Sequence, residues 1–235
     1  MKIEAKLLKR FIKKACLINE ILTINMDFNE DGLKTSIMDG GNVALTITTL
    51  DKDKFEDYNP IGRIYIKSST ALQNYLNTFK GIVTLDKIDE YTLKISDMTR
   101  EGYVILGSDK IVENIWEKDP PEIETKSIFT VNKDVLTQSL ADSVLSGTPV
   151  ITFRKEKDMF SLEVGDKGTS DYFITKIQVE DEAIAFTKLG YKVASLIKVL
   201  DNDVEISLGD NVPVIFKEES DGINFYCMIA PRVDL

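Results

Sequence analysis

The sequence contains no histidine. That excludes Ser-His and Cys-His nucleophile pairs and any imidazole-ligated metal. It has only two cysteines, Cys16 and Cys227, near opposite ends of 235 residues. They cannot build a zinc cluster, and they do not form the disulfide framework of a secreted domain, so both are expected to be reduced and buried. No apolar run approaches the ~18 residues of a membrane helix. The opening residues Met1–Lys6 lack an apolar stretch followed by a cleavage site, so no secretory signal is expected. Cations are also in deficit: Lys+Arg is 29 against 39 for Asp+Glu, a net charge of −10. A nucleic-acid-binding domain is normally basic.

The distribution of charge says more than its sum. Residues 2–14 carry Lys2, Lys6, Lys9, Arg10, Lys13 and Lys14 against one acid, Glu4. The remaining composition, 43% hydrophobic and 29% charged, is that of a folded domain. A locally basic surface on an acidic body is the first informative feature of the sequence.

Four segments carry the helical period. The first has Leu8, Phe11, Ile12 and Ala15 on one face. The second has Leu72, Tyr75, Leu76 and Phe79 after a cap at Ser68 or Ser69. The third has Leu136, Leu140 and Val144 after Asn132, and the fourth Leu189, Val193, Leu196, Ile197 and Leu200. Between them lie short alternating segments that read as strands, for example 24–28 and 33–37 about an Asp31-Gly32 turn. The order repeats: Leu76 corresponds to Leu196 and Gly102 to Gly222, an offset of about 120 residues. The first and third helices are each expected to precede three strands. The fold class is therefore α+β, with two similar domains of two helices and about eight antiparallel strands each. The boundaries fall at 1–117 and 127–235. An extended connector, 118–126, carries Pro120-Pro121 and several charges.

Several motifs fail as sites. Asp27–Gly32 opens like a calcium loop, but its twelfth position is Met38, so a hairpin turn is the better reading. Gly40-Gly41 and Gly165–Gly168 lack phosphate-loop spacing. Asp201-Asn202-Asp203 and Glu218-Glu219 lack the convergent partners a metal nuclease needs. The first helix is the stronger candidate. At 100° per residue, Phe11, Ile12 and Ala15 lie within about 60° of Leu8, while Lys6, Arg10 and Lys13 gather at the opposite pole. An ordinary wet face accounts for the same pattern, and both readings stand on these residues alone. Lys188, Tyr191, Ser195 and Lys198 form a weaker basic face on the fourth helix. Lys80 ends the second, and Asp134, Gln138 and Asp142 give the third the wrong sign.

The C-terminal run 204–233, VEISLGDNVPVIFKEESDGINFYCMIAPRV, resembles the end of the archaeal and eukaryotic sliding clamps, the proliferating cell nuclear antigen (PCNA) family. The segment Met38–Leu45 and the acidic proline-bearing connector resemble the same family. The similarity extends over the chain in length, repeat and element order.

The resemblance implies a ring-forming, duplicated DNA-clamp fold without catalytic activity or cofactor. It implies a DNA polymerase processivity factor that encircles double-stranded DNA as a homotrimer, without reading sequence. DNA contacts would come from Lys2, Lys6, Lys9, Arg10, Lys13, Lys14, Lys80, Lys188 and Lys198. Polymerase, clamp loader and other replication and repair proteins would dock a short motif at Met38, Asn42, Val43, Leu45, Pro121, Ile123, Pro213, Met228, Ile229, Ala230 and Pro231. Subunits would join edge to edge through Gly102, Tyr103, Val104, Ile105 and Leu106 of one copy. The other edge is the strand near 169–175 of the next, with Tyr172, Phe173 and Ile174. The second and third helices depart from the family's basic pattern. Localisation would be cytoplasmic in an archaeal or virus-infected cell, or nuclear in a eukaryote. Other readings are a subunit of a heterotrimeric or checkpoint-type clamp, a scaffold that never encloses DNA, and a carboxylate-metal hydrolase.

Overall fold

A computed structural model of the chain describes residues 1–111, 115–165, 167–168 and 171–232. Asp166 of the glycine turn, Thr169 and Ser170 of the expected edge strand, and Val233 of the C-terminal motif lie outside the described residues. The chain divides into two compact units that interleave in sequence. One comprises residues 1–40, 46–117 and 219–225, the other 41–45, 118–218 and 226–235.

The first half of the sequence supplies β1 (Lys2–Glu4), α1 (Ala5–Ala15), β2 (Ile24–Asn29), β3 (Gly32–Met38), β4 (Ala44–Asp51), β5 (Gly62–Ile66), α2 (Ser69–Leu76), β6 (Ile82–Lys87), β7 (Thr92–Ser96) and β8 (Glu101–Ile105). Its strands run in the orders β1-β6-β7-β8 and β5-β2-β3-β4. Leu8, Phe11 and Ile12 of α1 and Leu72 and Leu76 of α2 close on Met26, Phe28, Val83, Leu85 and Ile95 in one apolar core. The helix stripes exist because these strands offer alternate apolar residues on one face. The Ser68 hydroxyl caps α2 by accepting from the Ala71 amide at 3.1 Å. At the β2–β3 turn, Gly32 has φ 137°, and a Cβ there would meet the Leu50 carbonyl oxygen at 2.2 Å. Glycine is thus required by both backbone and space.

The second half repeats this order: β9 (Ser127–Val131), α3 (Lys133–Ser146), β10 (Ile151–Glu156), β11 (Met159–Val164), β12 (Phe173–Gln178), β13 (Ile184–Leu189), α4 (Lys192–Ile197), β14 (Val204–Leu208), β15 (Val214–Ser220) and β16 (Ile223–Ile229). Strand orders are β12-β11-β10-β13 and β16-β15-β14-β9. The Asn132 side chain caps α3 at the Asp134 amide, 2.8 Å. Lys155 is fully buried, and its ammonium donates to the Asp181 carbonyl oxygen at 2.5 Å. That bond ties the β12–β13 loop to the core and satisfies a donor that burial would otherwise strand.

The α+β duplicated fold of the sequence reading is what the structure has. Three details differ. First, α1 and α3 are each followed by four strands and not three, with β5 and β13 as the fourth of each set. Second, α4 is shorter than its pattern suggests, and Leu189 ends β13. Third, the buried face of α3 is Leu136, Ser139, Asp142 and Ser143, while Val144 and Leu145 are exposed. Small side chains on that face let α3 approach β11, β12 and α4 closely. Asp142 therefore lies inward, where it accepts from Gln138 at 2.9 Å. Among the described residues, no helix is long and apolar enough to cross a membrane.

Candidate functional site

The cationic set begins on α1. Helical spacing turns Leu8, Phe11 and Ile12 into the core and leaves Lys6, Lys9, Arg10 and Lys13 on the other side. Lys6 is exposed and Lys13 half-buried, and neither has an ion-pair partner among the described residues. Lys9 donates to the Asn77 side chain at the end of α2. Its pKa is lowered, first by partial desolvation and then by the neighbouring charge of Lys13. Arg10 bonds Asp221 and Ser220, each at 2.5 Å. Lys2 lies on β1, 2.9 Å from Asp57 and 3.8 Å from Glu56.

One expected contact is corrected. Lys14 is only 1% exposed, with its ammonium 5.4 Å from the centre of the Phe225 ring. It sits about 60° round the helix from Phe11, on the side where that ring covers it, so it belongs to the interior and not to the basic face. Lys80 and Lys198 are exposed. Lys188 is half-buried on β13, not on the fourth helix as its spacing suggested.

The second set lies about residues 41–45 and the C-terminal strand. The Ala230 amide donates to the Val43 carbonyl at 2.8 Å, bringing these two segments together. Asn42 is exposed with φ 54°. Val43, Ile123, Pro121, Pro213, Ala230 and Pro231 are half-buried, and Met228 is nearly covered. Leu45 and Ile229 are corrections: both are fully buried strand residues and form core. Met38, half-buried, ends β3 in the other unit. The connector is held at its far end. The Lys126 amide donates to the Leu208 carbonyl at 2.8 Å, and its ammonium lies 2.5 Å from Asp210. The Asp210 carboxyl is held below the usual carboxylate range, first by that Lys126 bond.

The third set comprises two open sheet edges. β8 ends the order β1-β6-β7-β8, and β12 ends β12-β11-β10-β13. Tyr103 and Ile105 of β8 stand exposed, with Gly102 and Val104 half-buried between them. Ile174 of β12 is exposed, and Tyr172 and Phe173 are half-buried. Leu106 is a correction: it is buried and bridges to Ile66. Beside β8 runs a groove of about 360 Å³ lined by Ile66, Ala71, Leu72, Tyr75, Tyr103 and Ile105.

The sequence reading missed Val144 and Leu145 at the end of α3, which project 76% and 67% exposed. Two adjacent large apolar residues beside a helix-ending Gly147 are their signal. Neither can face the core together with Leu136 and Ser139.

No family model matches the chain. Among curated proteins, the DNA polymerase sliding clamp of Methanococcus maripaludis strain C7 is 25% identical over 238 residues, covering 93% of this chain and 92% of the relative. Among solved structures, Archaeoglobus fulgidus PCNA with the C-terminal region of FEN-1 bound superposes with TM-score 0.84. Its identity is 22%, with 100% of this chain and 98% of that one covered. The relatives are sliding clamps, and the fold is that of PCNA. A PCNA2–PCNA3 complex of Sulfolobus tokodaii has the same clamp fold, with TM-score 0.75, 19% identity and full coverage of both chains. Among the described residues, no group of His, Cys, Asp or Glu is arranged to hold a metal.

Proposed function

We propose that the chain is a non-catalytic processivity factor, three copies of which close head to tail into a ring around duplex DNA. The observation that carries this reading is the pair of open edges, β8 in one unit and β12 in the other. Unpaired edges invite uncontrolled association unless another chain covers them. A head-to-tail contact that closes covers every edge with a copy of the other. The exposed Val144 and Leu145 then have an occupant's place in the apolar groove beside β8 of the neighbouring copy.

Within such a ring, Lys6, Lys9, Arg10 and Lys13, with Lys2, Lys80, Lys188 and Lys198 around them, face the phosphates. Cations that touch only phosphate neutralise it without reading bases, so the hold is sequence-independent and mobile. The acidic remainder of the chain repels DNA from the outside. Polymerase, clamp loader, nucleases and other replication and repair enzymes dock a short apolar motif near Met38, Asn42, Val43, Pro121, Ile123, Pro213, Met228, Ala230 and Pro231. The FEN-1 segment on the A. fulgidus structure supports a partner of this kind. The setting is the cytoplasm of an archaeal or virus-infected cell. The two domains are 1–117 and 127–235, joined by 118–126.

A mixed ring is the second reading, favoured by the likeness to the PCNA2–PCNA3 complex. Light-scattering mass of the purified chain separates the two. The homotrimer gives about three times 26.5 kDa, and a monomer that assembles only with a different clamp chain refutes it.

A further inference from the structure

We propose that Asp221, at the turn between β15 and β16, competes with DNA phosphate for Arg10 and so loosens the grip of α1. The inference rests on the enclosing role above, and goes beyond it by naming a residue that sets the strength of the hold.

Arg10 lies on the outward face of α1, within about 60° of both Lys6 and Lys13 in the helical projection. Its Nη1 lies 2.5 Å from the Asp221 carboxylate and its Nη2 2.5 Å from the Ser220 hydroxyl. Those two nitrogens are the prongs a phosphate would take in bidentate fashion. The Arg10 side chain is 25% exposed and that of Asp221 72% exposed, so the pair lies at the surface with the carboxylate outermost.

The turn that presents Asp221 is anchored. Gly222 has φ 78°, its carbonyl accepts from the Asp51 amide at 3.2 Å, and the aliphatic stem of Lys54 lies across it. A Cβ on Gly222 would come within 2.2 Å of the Lys54 Cε. The Asp221 carboxyl is held below the usual carboxylate range by the Arg10 hydrogen bond first, then by the charges of Arg10, Lys54 and Lys6. The carboxylate is therefore charged at neutral pH.

Lys6 and Lys13 lack such a partner among the described residues, so Arg10 is the outward cation of α1 whose charge is cancelled locally. A phosphate arriving at Arg10 exchanges with an anion already present. The ring thus releases fewer counterions per contact and slides more freely.

The test uses the intact protein and a fluorescent linear duplex, with anisotropy titrations across a salt series. Asp221→Asn is expected to bind about two- to fivefold tighter at moderate salt. The slope of log affinity against log salt should steepen by about 0.9, one added phosphate contact. Asp221→Ser is the second variant and must behave alike, each confirmed folded by circular dichroism. In an Arg10→Gln background, D221N should change affinity by less than about twofold, below the gain expected with Arg10 present. An equal gain in that background would mean the carboxylate merely repels DNA, and would overturn the inference. No gain from D221N, with binding still lost in Lys6→Glu/Lys13→Glu, overturns this inference and leaves the enclosing role intact. Indifference to K6E/K13E as well overturns both.

Discussion

Tyr75 fills the space that a side chain at residue 102 would need. A Cβ built on Gly102 would lie 1.3 Å from the Tyr75 hydroxyl oxygen. Gly102 sits on the edge strand β8, and Tyr75 packs from α2 against Phe79, ring centres 5.0 Å apart. Glycine in a strand is otherwise a cost, so its use here marks close approach of a neighbour.

Gly102→Ala should therefore push Tyr75 aside and destabilise the fold by about 1–3 kcal/mol, the usual penalty of overpacking. Thermal melts check this, and in a Tyr75→Ala background the added methyl should cost little. Tyr75→Phe should leave Tm unchanged or raised, because the buried hydroxyl has no hydrogen-bond partner among the described residues.

The strand edges give a second prediction. Ile105→Lys on β8 and Ile174→Lys on β12 each put an ammonium on an edge that must meet its counterpart. Either substitution should raise the concentration for half-assembly at least tenfold, about 1.4 kcal/mol per decade, with circular dichroism unchanged. Sedimentation measures it. Val144→Asp should act in the same direction.

The thiols give a third. Burial pushes the Cys16 thiol up to about 12, with a lesser opposing contribution from Ser69. The thiolate is the reactive form, so native protein at pH 8 should resist iodoacetamide at Cys16 and react fully in guanidinium. Because the raised value favours the protonated thiol in the fold, its stabilising contribution is complete below the unfolded value near 9. It fades as pH rises from there toward 12.

The acid limb gives a fourth. Asp210 and Asp181 are both held below the usual carboxylate range. Asp210 is lowered first by Lys126, and Asp181 first by the Ser127 hydroxyl and then by the Ala183 amide. A depressed carboxyl stabilises the fold above its unfolded pKa and loses that contribution as pH falls through the lower folded value. Urea midpoints should accordingly decline below about pH 4, and D181N and D210N should each flatten that decline. D210N should also speed proteolysis within 118–126, where it frees Lys126.

Much of the fold was legible because its signals are local. Ser68 and Asn132 cap helices by side-chain bonds to amides three and two residues on, and the alternation in 24–29 and 223–229 needs only one buried sheet face. The errors came where tertiary packing decides. Val144 looked like core because it continues the Leu136–Leu140 spacing, yet the close helix contact selects Ser139 and Ser143 instead. The six cations of residues 2–14 read alike, but Lys14 meets Phe225 while Arg10 meets Asp221, more than 200 residues away in sequence. No periodicity carries that information. The edges β8 and β12 were located through family resemblance, since a strand's neighbours are not written in its own residues.

Enclosure is the central claim, and the most direct measurement follows the protein on closed and opened DNA. The chain is mixed as dissociated subunits with nicked circular plasmid and concentrated so that rings close around the circle, the mixture is passed through a sizing column, and the plasmid is then cut once. The account predicts co-elution with the circle and loss within minutes of linearisation, restored when the ends are blocked. Equal retention on circular and linear DNA, or none on either, would contradict it.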